Sequence, residues 1–198
     1  SPATITLQKD VQGGRAKADD QFALSLKQGG TELGSATTTG SATGIQEEIV
    51  GPLPAKRGAA ITFSETAARG ATLDVYGITY TCTTDGKPMN GVSGEGRSGS
   101  VTIPNTGDAV VCTITNAPLT ANVSIHKDVV DENGENKKPG KDWTVGAKAT
   151  ATTDSVTSAP TAATQKTDAN GNAKWGLKFS KSTGRATVAI SETQQDGF

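Results

Sequence analysis

Short runs in which apolar and polar residues alternate recur along the whole chain. In the first run, Ile5, Leu7 and Val11 share one face of an extended segment, because side chains alternate between faces with a period of two. Glycine-containing turn pairs separate the runs, and no segment holds a 3.6-residue apolar period with caps at both ends. The pattern predicts an all-β protein with strands at 4–11, 21–27, 45–50, 59–66, 75–84, 99–103, 109–116, 122–130, 143–150, 173–179 and 185–193.

Three polar residues fall on strand faces that should be buried. Lys9 lies on the same face as Leu7, and Glu65 on the same face as Phe63. Asn116 is in phase with two apolar residues of its own strand. Charged side chains are almost never buried unless they are paired, because removing water from a charge costs several kcal/mol. A lysine, a glutamate and an asparagine that point into one core therefore need a shared explanation.

One explanation is a spontaneous covalent crosslink. Desolvation should lower the pKa of Lys9 and make its amine a nucleophile. Protonated Glu65 could polarise the Asn116 carbonyl and pass a proton to the departing ammonia, which would leave a Lys–Asn isopeptide bond. Two simpler interpretations remain open. Lys9 and Glu65 could form a buried salt bridge beside Asn116, or Lys9 could reach solvent from a frayed strand end.

The only two cysteines, Cys82 and Cys112, point inward from separate predicted strands. We expect a disulfide between them, which indicates an oxidising, extracellular setting. The alternative is a pair of buried free thiols. Two cysteines and a single histidine, His126, cannot build a structural zinc site, and one histidine leaves no credible Ser–His–Asp arrangement. We therefore predict no metal, no cofactor and no enzyme activity beyond the crosslink itself.

The sequence also repeats itself. Ala3–Val11 resembles Ala121–Val129, and Ala60–Thr66 resembles Thr187–Thr193. Between them, the segment that begins at Phe22 matches the one that begins at Trp143. We expect two tandem, homologous antiparallel β-sandwiches of the Ig-like or prealbumin-like type, at residues 1–117 and 118–198.

The repeat places Lys127 and Glu192 where the first copy has Lys9 and Glu65. No counterpart of Asn116 follows, so the second sandwich is expected to be incomplete at its C-terminus, before its closing strands. An incomplete sandwich has an unpaired edge, which can pair with another chain. A dimer through an edge strand of the second domain is therefore one expected contact.

Composition narrows the possible partners. The net charge is −1 and the pI is near 5.8, so nothing directs the chain to nucleic acid or to an anionic membrane. No apolar run approaches the ~18–20 residues that span a bilayer, so we expect no membrane insertion. Only 4% of residues are aromatic, which is typical of small β-domains with thin cores.

Four short motifs resemble those of Cna-B-type and SpaA-like prealbumin-fold domains, which build pilins and surface adhesins of Gram-positive, especially actinobacterial, bacteria. They are Leu7–Val11, Phe63–Thr66, Cys112–Asn116 and, in the second copy, Ser191–Thr193. The resemblance implies an isopeptide bond formed by the opening-strand lysine, the glutamate of a Glu-Thr pair and the closing-strand asparagine. Lys9, Glu65 and Asn116 match that system in type and order.

The sequence thus favours a structural stalk of a cell-surface adhesin or pilus-like protein, extracellular and either anchored to the cell wall or secreted. The full-length protein could contact a host surface or matrix protein. The alternative is a ligand-binding β-sandwich whose loops contact a host matrix protein or glycan. Four aromatic residues are the candidates for stacking on sugars, namely Tyr76, Tyr80, Trp143 and Trp175.

Overall fold

The structure is a computed structural model that describes residues 1–198. Apart from one turn of 3-10 helix at Leu73–Val75, its regular elements are strands, which confirms the all-β prediction. No helix has the length and apolar character needed to cross a membrane. The strands are β1 (Ala3–Val11), β2 (Gln21–Gln28), β3 (Thr31–Thr37), β4 (Gly44–Ile45), β5 (Val50–Ala55), β6 (Ala60–Ala68), β7 (Tyr76–Thr84), β8 (Lys87–Glu95), β9 (Ser98–Thr102), β10 (Ala109–Pro118), β11 (Thr120–His126), β12 (Asp128–Val129), β13 (Lys138–Pro139), β14 (Thr144–Thr153), β15 (Val156–Ala159), β16 (Thr164–Lys166), β17 (Asn172–Phe179) and β18 (Arg185–Glu192).

The chain divides into two compact units, Ser1–Pro118 and Leu119–Phe198. The first unit has two sheets. One has the order β4-β1-β10-β7-β8, with β5 also paired to β1, and the other has the order β3-β2-β6-β9. Apolar residues from both sheets share one core, so the unit is a β-sandwich. Its first and last strands, β1 and β10, lie side by side and run parallel.

The second unit has smaller sheets, with the orders β11-β17-β15, β16-β14-β18 and β12-β13. Its core is correspondingly thin. It contains four buried apolar residues, Val145, Ala147, Ala173 and Trp175. Strand β11 pairs only with β17 and forms the edge of its sheet.

The disulfide between Cys82 and Cys112 is present, as the sequence predicted. The two residues lie directly opposite each other on the antiparallel strands β7 and β10. Their Cα atoms are 4.0 Å apart, slightly closer than in most disulfides, because the ladder already holds the strands together. The bond ties β10 to one of its two neighbours.

Several predicted strand limits were wrong. In place of the strand expected at 45–50, the structure has the end of β4 and the start of β5, joined by an irregular link. The strand expected at 122–130 is interrupted at Lys127, which lies between β11 and β12. Strands β3, β8, β15 and β16 were not predicted, because they lie at sheet edges, where little burial imposes an alternating pattern.

The predicted inward face of the last strand is only partly buried. Val188 packs against the core of the second unit, but Ile190 is 63% exposed and Glu192 is also exposed. Glu192, the last residue of β18, lines an open groove rather than a packed core.

Candidate functional site

The two strands that begin and end the first unit position two of the predicted site residues. In the parallel β1–β10 ladder, Lys9 is opposite Ile114, and Val11 is opposite Asn116. Asn116 therefore lies two residues beyond the position opposite Lys9. Both side chains point into the same core, since residues two apart share a face. Glu65 comes from β6, in the facing sheet.

All three side chains are buried. Lys9 and Asn116 are 0% exposed and Glu65 is 3% exposed. The Lys9 Nζ lies 2.7 Å from Oε2 of Glu65. The structure thus places the predicted lysine and glutamate in direct contact, across the two sheets of the sandwich.

The polar atoms of this site are poorly satisfied. Glu65 Oε1 and both side-chain amide atoms of Asn116 have no hydrogen-bond partner, and Lys9 Nζ and Glu65 Oε2 have only each other, through their ion pair. Each unsatisfied buried polar group costs about 1–3 kcal/mol. Three such atoms and a fully desolvated ion pair in one core carry a cost that apolar residues of similar size would avoid.

Burial also changes the Lys9 amine. Desolvation lowers the pKa of Lys9 from 10.5 to about 8, although the charge of Glu65 opposes this shift. A shift of this size makes the neutral amine roughly 300-fold more abundant near neutral pH than it is for an exposed lysine. The neutral amine is the nucleophilic form.

Aromatic residues close one side of the site, and sequence reasoning missed them. The Lys9 Nζ lies 4.7 Å from the ring centre of Phe22. The Phe22 ring packs edge-on against Tyr76, with 5.3 Å between ring centres. The Tyr76 hydroxyl donates a hydrogen bond to buried Asp20. Burial raises the pKa of Tyr76. The feature of the sequence that could have indicated these contacts is an acidic residue beside the start of an apolar strand, in Asp20-Gln21-Phe22.

Comparison with protein families identifies this fold. Residues 4–118 match a SpaA-type family model described as a prealbumin-like fold domain. The chain belongs to this prealbumin-like family. The match covers the first unit, including Lys9, Glu65 and Asn116, and confirms the resemblance drawn from the motifs.

Two other comparisons add little to this SpaA-type assignment. A mutant of the major pilin from Streptococcus pyogenes aligns with 59% of this chain at 19% sequence identity and a TM-score of 0.36. The aligned part is 48% of that pilin, so the chain spans about half of its length. No curated protein matches the chain.

The second unit brings its predicted pair together as well. The Lys127 Nζ lies 2.8 Å from Oε2 of Glu192, and it lies 4.1 Å from the ring centre of Trp143. Unlike the Lys9–Glu65 pair of the first unit, this one reaches solvent, with side chains 21% and 42% exposed. No asparagine accompanies it among its hydrogen-bond partners.

Outside these two sites, the structure brings few other charged or metal-binding side chains together. No group of three or more His, Cys, Asp or Glu residues is placed to hold a metal ion. His126 is exposed and bonds Asn172 and Asp128. The acidic segment that begins at Asp131 forms a tight turn closed by its own backbone.

Proposed function

We propose that the chain is a structural stalk segment of a bacterial cell-surface adhesin or pilus-like protein, locked by a Lys9–Asn116 isopeptide bond. The observation that carries the proposal is the buried 2.7 Å contact between Lys9 and Glu65, together with a fully buried Asn116 on the strand next to Lys9 that has no hydrogen-bond partner. The bond would remove the buried charges of Lys9 and Glu65 and would explain why an asparagine without a partner lies next to them. The SpaA-type family assignment and the disulfide support an extracellular, cell-wall-anchored or secreted setting.

The chemistry needs only these three side chains. A proton passes from Lys9 to Glu65, which leaves a neutral amine and a protonated carboxyl group in contact. The Lys9 Nζ attacks the Asn116 side-chain carbonyl carbon, while Glu65 donates a hydrogen bond to the carbonyl oxygen. Glu65 then transfers the proton that Lys9 loses to the amide nitrogen, the C–N bond breaks and ammonia leaves. The fold holds the partners together, so proximity supplies most of the acceleration.

The position of the bond would give the unit its mechanical role. Strands β1 and β10 are parallel neighbours, and both run toward the crosslink. Tension applied at the two ends of the unit would pass along β1 to Lys9, cross the bond to Asn116 and leave through Pro118. The intervening chain would carry no load.

The second unit would be a repeat of the same design. Leu24 is opposite Glu65, and Val145 is opposite Glu192, at matching places in the repeat. The backbone nitrogen of Phe22 donates to a buried threonine hydroxyl, and that of Trp143 does the same. We propose that residues 118–198 form a homologous sandwich without a counterpart of β10.

The ligand-binding alternative has less support. Three of the four aromatic candidates for sugar stacking are at most 4% exposed, namely Tyr76, Trp143 and Trp175. Tyr80 is half-buried and packs edge-on against Phe63. Sugar sites need exposed rings, so these residues serve the cores instead.

The mechanical role can be tested by stretching single molecules from both ends under oxidising conditions. In the wild type, we expect no release of the chain between Lys9 and Asn116. In Asn116→Ala, the first unit should extend by roughly 250–280 Å with the disulfide intact and by about 350–390 Å after reduction, at ~3.3–3.6 Å per residue. Lys127→Ala is the matched control and should behave as the wild type does in the first unit. Equal extension of wild type and Asn116→Ala would contradict the proposal.

A further inference from the structure

The loop between β1 and β2 brings a second cation close to the Lys9 amine. This loop covers residues 12–20 and contains one arginine, Arg15. The Arg15 guanidinium carbon lies 6.0 Å from the centre of the Phe22 ring, and the Lys9 Nζ lies 4.7 Å from the same ring centre. Two cationic groups therefore border one aromatic ring, whereas a single carboxylate, that of Glu65, contacts the amine.

Three hydrogen bonds fix the position of the Arg15 guanidinium. It donates from Nε to the carbonyl oxygen of Asp20 at 2.8 Å, from Nη1 to that of Ala42 at 2.7 Å, and from Nη2 to Oε1 of Gln46 at 2.9 Å. The acceptors lie in three separate segments, namely the end of its own loop, the link between β3 and β4, and the link between β4 and β5. The planar fork of arginine suits such a set of acceptors and leaves the side chain little freedom.

No carboxylate forms an ion pair with Arg15. Its three acceptors are neutral oxygens, and it takes part in none of the salt bridges of the chain. The buried carboxylate of Asp20 instead accepts hydrogen bonds from the Tyr76 hydroxyl and from the backbone nitrogen of Lys17. Because a guanidinium does not deprotonate in proteins, Arg15 brings a permanent positive charge to this end of the sandwich.

Gln46 connects Arg15 to the strand that carries the nucleophile. It is 5% exposed, and its backbone nitrogen donates a hydrogen bond of 2.8 Å to the Lys9 carbonyl oxygen. Its side-chain nitrogen donates to the carbonyl oxygens of Ala42 and Gly44, so the side chain that accepts the Arg15 bond is itself held in place. This contact is on the edge of β1 away from β10, the strand of Asn116.

The charges near the Lys9 amine act in opposite directions. Glu65 and Asp10 favour its ammonium form, because opposite charges attract. Arg15 favours the neutral form, because like charges repel, and it acts in the same direction as desolvation, which is the larger effect. A fixed cation beside a lysine thus helps to keep the amine neutral and nucleophilic.

Given the Lys9–Asn116 reaction proposed above, on which this inference rests, we infer that Arg15 is a positioning residue of that site. Its permanent charge favours the reactive form of the Lys9 amine, and its bond to Gln46 supports the strand from which the amine projects. Arg15 itself forms and breaks no covalent bond and transfers no proton.

The first test measures the charge effect in the full chain with Asn116→Ala, in which the Lys9 amine stays free. Its NMR titration is compared with and without Arg15→Met, which removes the charge but leaves an apolar side chain against Phe22. The midpoint should rise by about half a pH unit or more, a roughly threefold loss of neutral amine near neutral pH. Arg15→Lys keeps the charge without the planar fork and should leave the midpoint close to that of the parent.

Arg57→Gln is the matched control. Arg57 follows β5, whose end at Ala55 pairs with Ala3 at the start of β1, far along the strand from Lys9. Its removal takes one arginine charge from the same unit and should not move the midpoint.

The second test follows the reaction itself in chains that retain Asn116. The chains are made by cell-free synthesis, and the loss of ammonia is followed with time by intact mass. Near pH 7, Arg15→Met should react roughly threefold more slowly than the wild type, and Arg15→Lys at nearly the wild-type rate. The difference should disappear above pH ~10.5, where the amine is neutral in every variant. A purely structural role for Arg15 would slow the reaction to the same extent at every pH.

The outcomes distinguish this inference from the proposed function. If the wild type loses ammonia, but Arg15→Met changes neither the midpoint nor the rate, the inference is wrong and the proposed function stands. Equal changes in Arg15→Met and Arg15→Lys would show that packing rather than charge matters, and they would also overturn the inference. If the wild type loses no ammonia, the proposed function itself is wrong, and Arg15 has no reaction to support.

Discussion

At the scale of single residues, the state of the Lys9 amine is what a pH titration of the first unit can reveal. Its amine is fully buried, and desolvation lowers its pKa from 10.5 to about 8. A buried lysine that titrates between these values makes stability depend on pH only while the amine remains free. An amide formed with Asn116 would no longer titrate.

We therefore expect a pH-dependent stability in Asn116→Ala that the wild type lacks. Between pH ~8 and ~10.5 the unfolded state binds more protons at Lys9 than the folded state does, so the free energy of unfolding rises with pH, by about 3 kcal/mol over the window. Below pH ~8 both states are protonated and the full penalty of burial applies. Denaturant titrations at several pH values across this range would measure the change in unfolding free energy. Tyrosine signals can monitor the unfolding, because only the first unit contains tyrosine.

The matched control is the double variant Asn116→Ala/Lys9→Met, in which this window should be absent. A wild-type chain that shows the same rise as Asn116→Ala would mean that its Lys9 amine is free. That result would contradict the crosslink at the residue on which it depends.

At the scale of secondary-structure elements, β10 joins the first unit together. It is the parallel neighbour of β1 and the antiparallel neighbour of β7, and the disulfide ties it to β7. The proposed isopeptide bond would tie it to β1 as well. Both covalent links would then meet on one strand, four residues apart, at Cys112 and Asn116.

Loss of the disulfide should weaken the first unit by a predictable amount. The bridge spans a sequence separation of 30 residues. In the chain-entropy model, opening a loop of this size costs roughly 3–4 kcal/mol of unfolding free energy. The comparison is between oxidised and reduced wild type in denaturant. The Cys82→Ala/Cys112→Ala variant is the control, and its stability should not change with reductant. If reduction changes the unfolding free energy of the wild type by less than about 1 kcal/mol, the prediction is wrong.

The strands also show what the sequence could predict. Strands with one buried face, such as β1, β6 and β10, were found because burial imposes a period of two on their residues. The same period of two showed that Lys9, Glu65 and Asn116 lie on buried strand faces. Edge strands such as β3 and β8 were missed because solvent covers most of their side chains, and polar residues and glycine occur there without a pattern.

The site in the second unit was predicted less well for a related reason. Lys127 was expected inside one continuous strand, yet the ladder breaks at this residue and its amine is partly exposed. Local alternation cannot reveal whether a neighbouring strand covers a face. The aromatic partners Phe22 and Trp143 were likewise not predicted to contact the lysines, because those contacts join residues far apart in the sequence.

At the scale of the whole molecule, the core of the second unit is thin and the chain carries few aromatic residues. Thin cores limit the stability that packing alone can supply. The proposed covalent bond between the first and last strands would offset this limit, because an unfolding force would have to break it before these strands separate. The role in surface attachment that we propose depends on that bond.

The most direct measurement is the intact mass of the reduced, denatured chain. The account predicts a mass one ammonia below the sequence mass in the wild type, with the branch mapped to Lys9 and Asn116. Glu65→Ala and Asn116→Ala should restore the full mass, because each removes one part of the reaction. Glu192→Ala is the matched control in the second unit and should keep the loss. A wild-type mass equal to the sequence mass, with Lys9 free to react, would contradict the central claim.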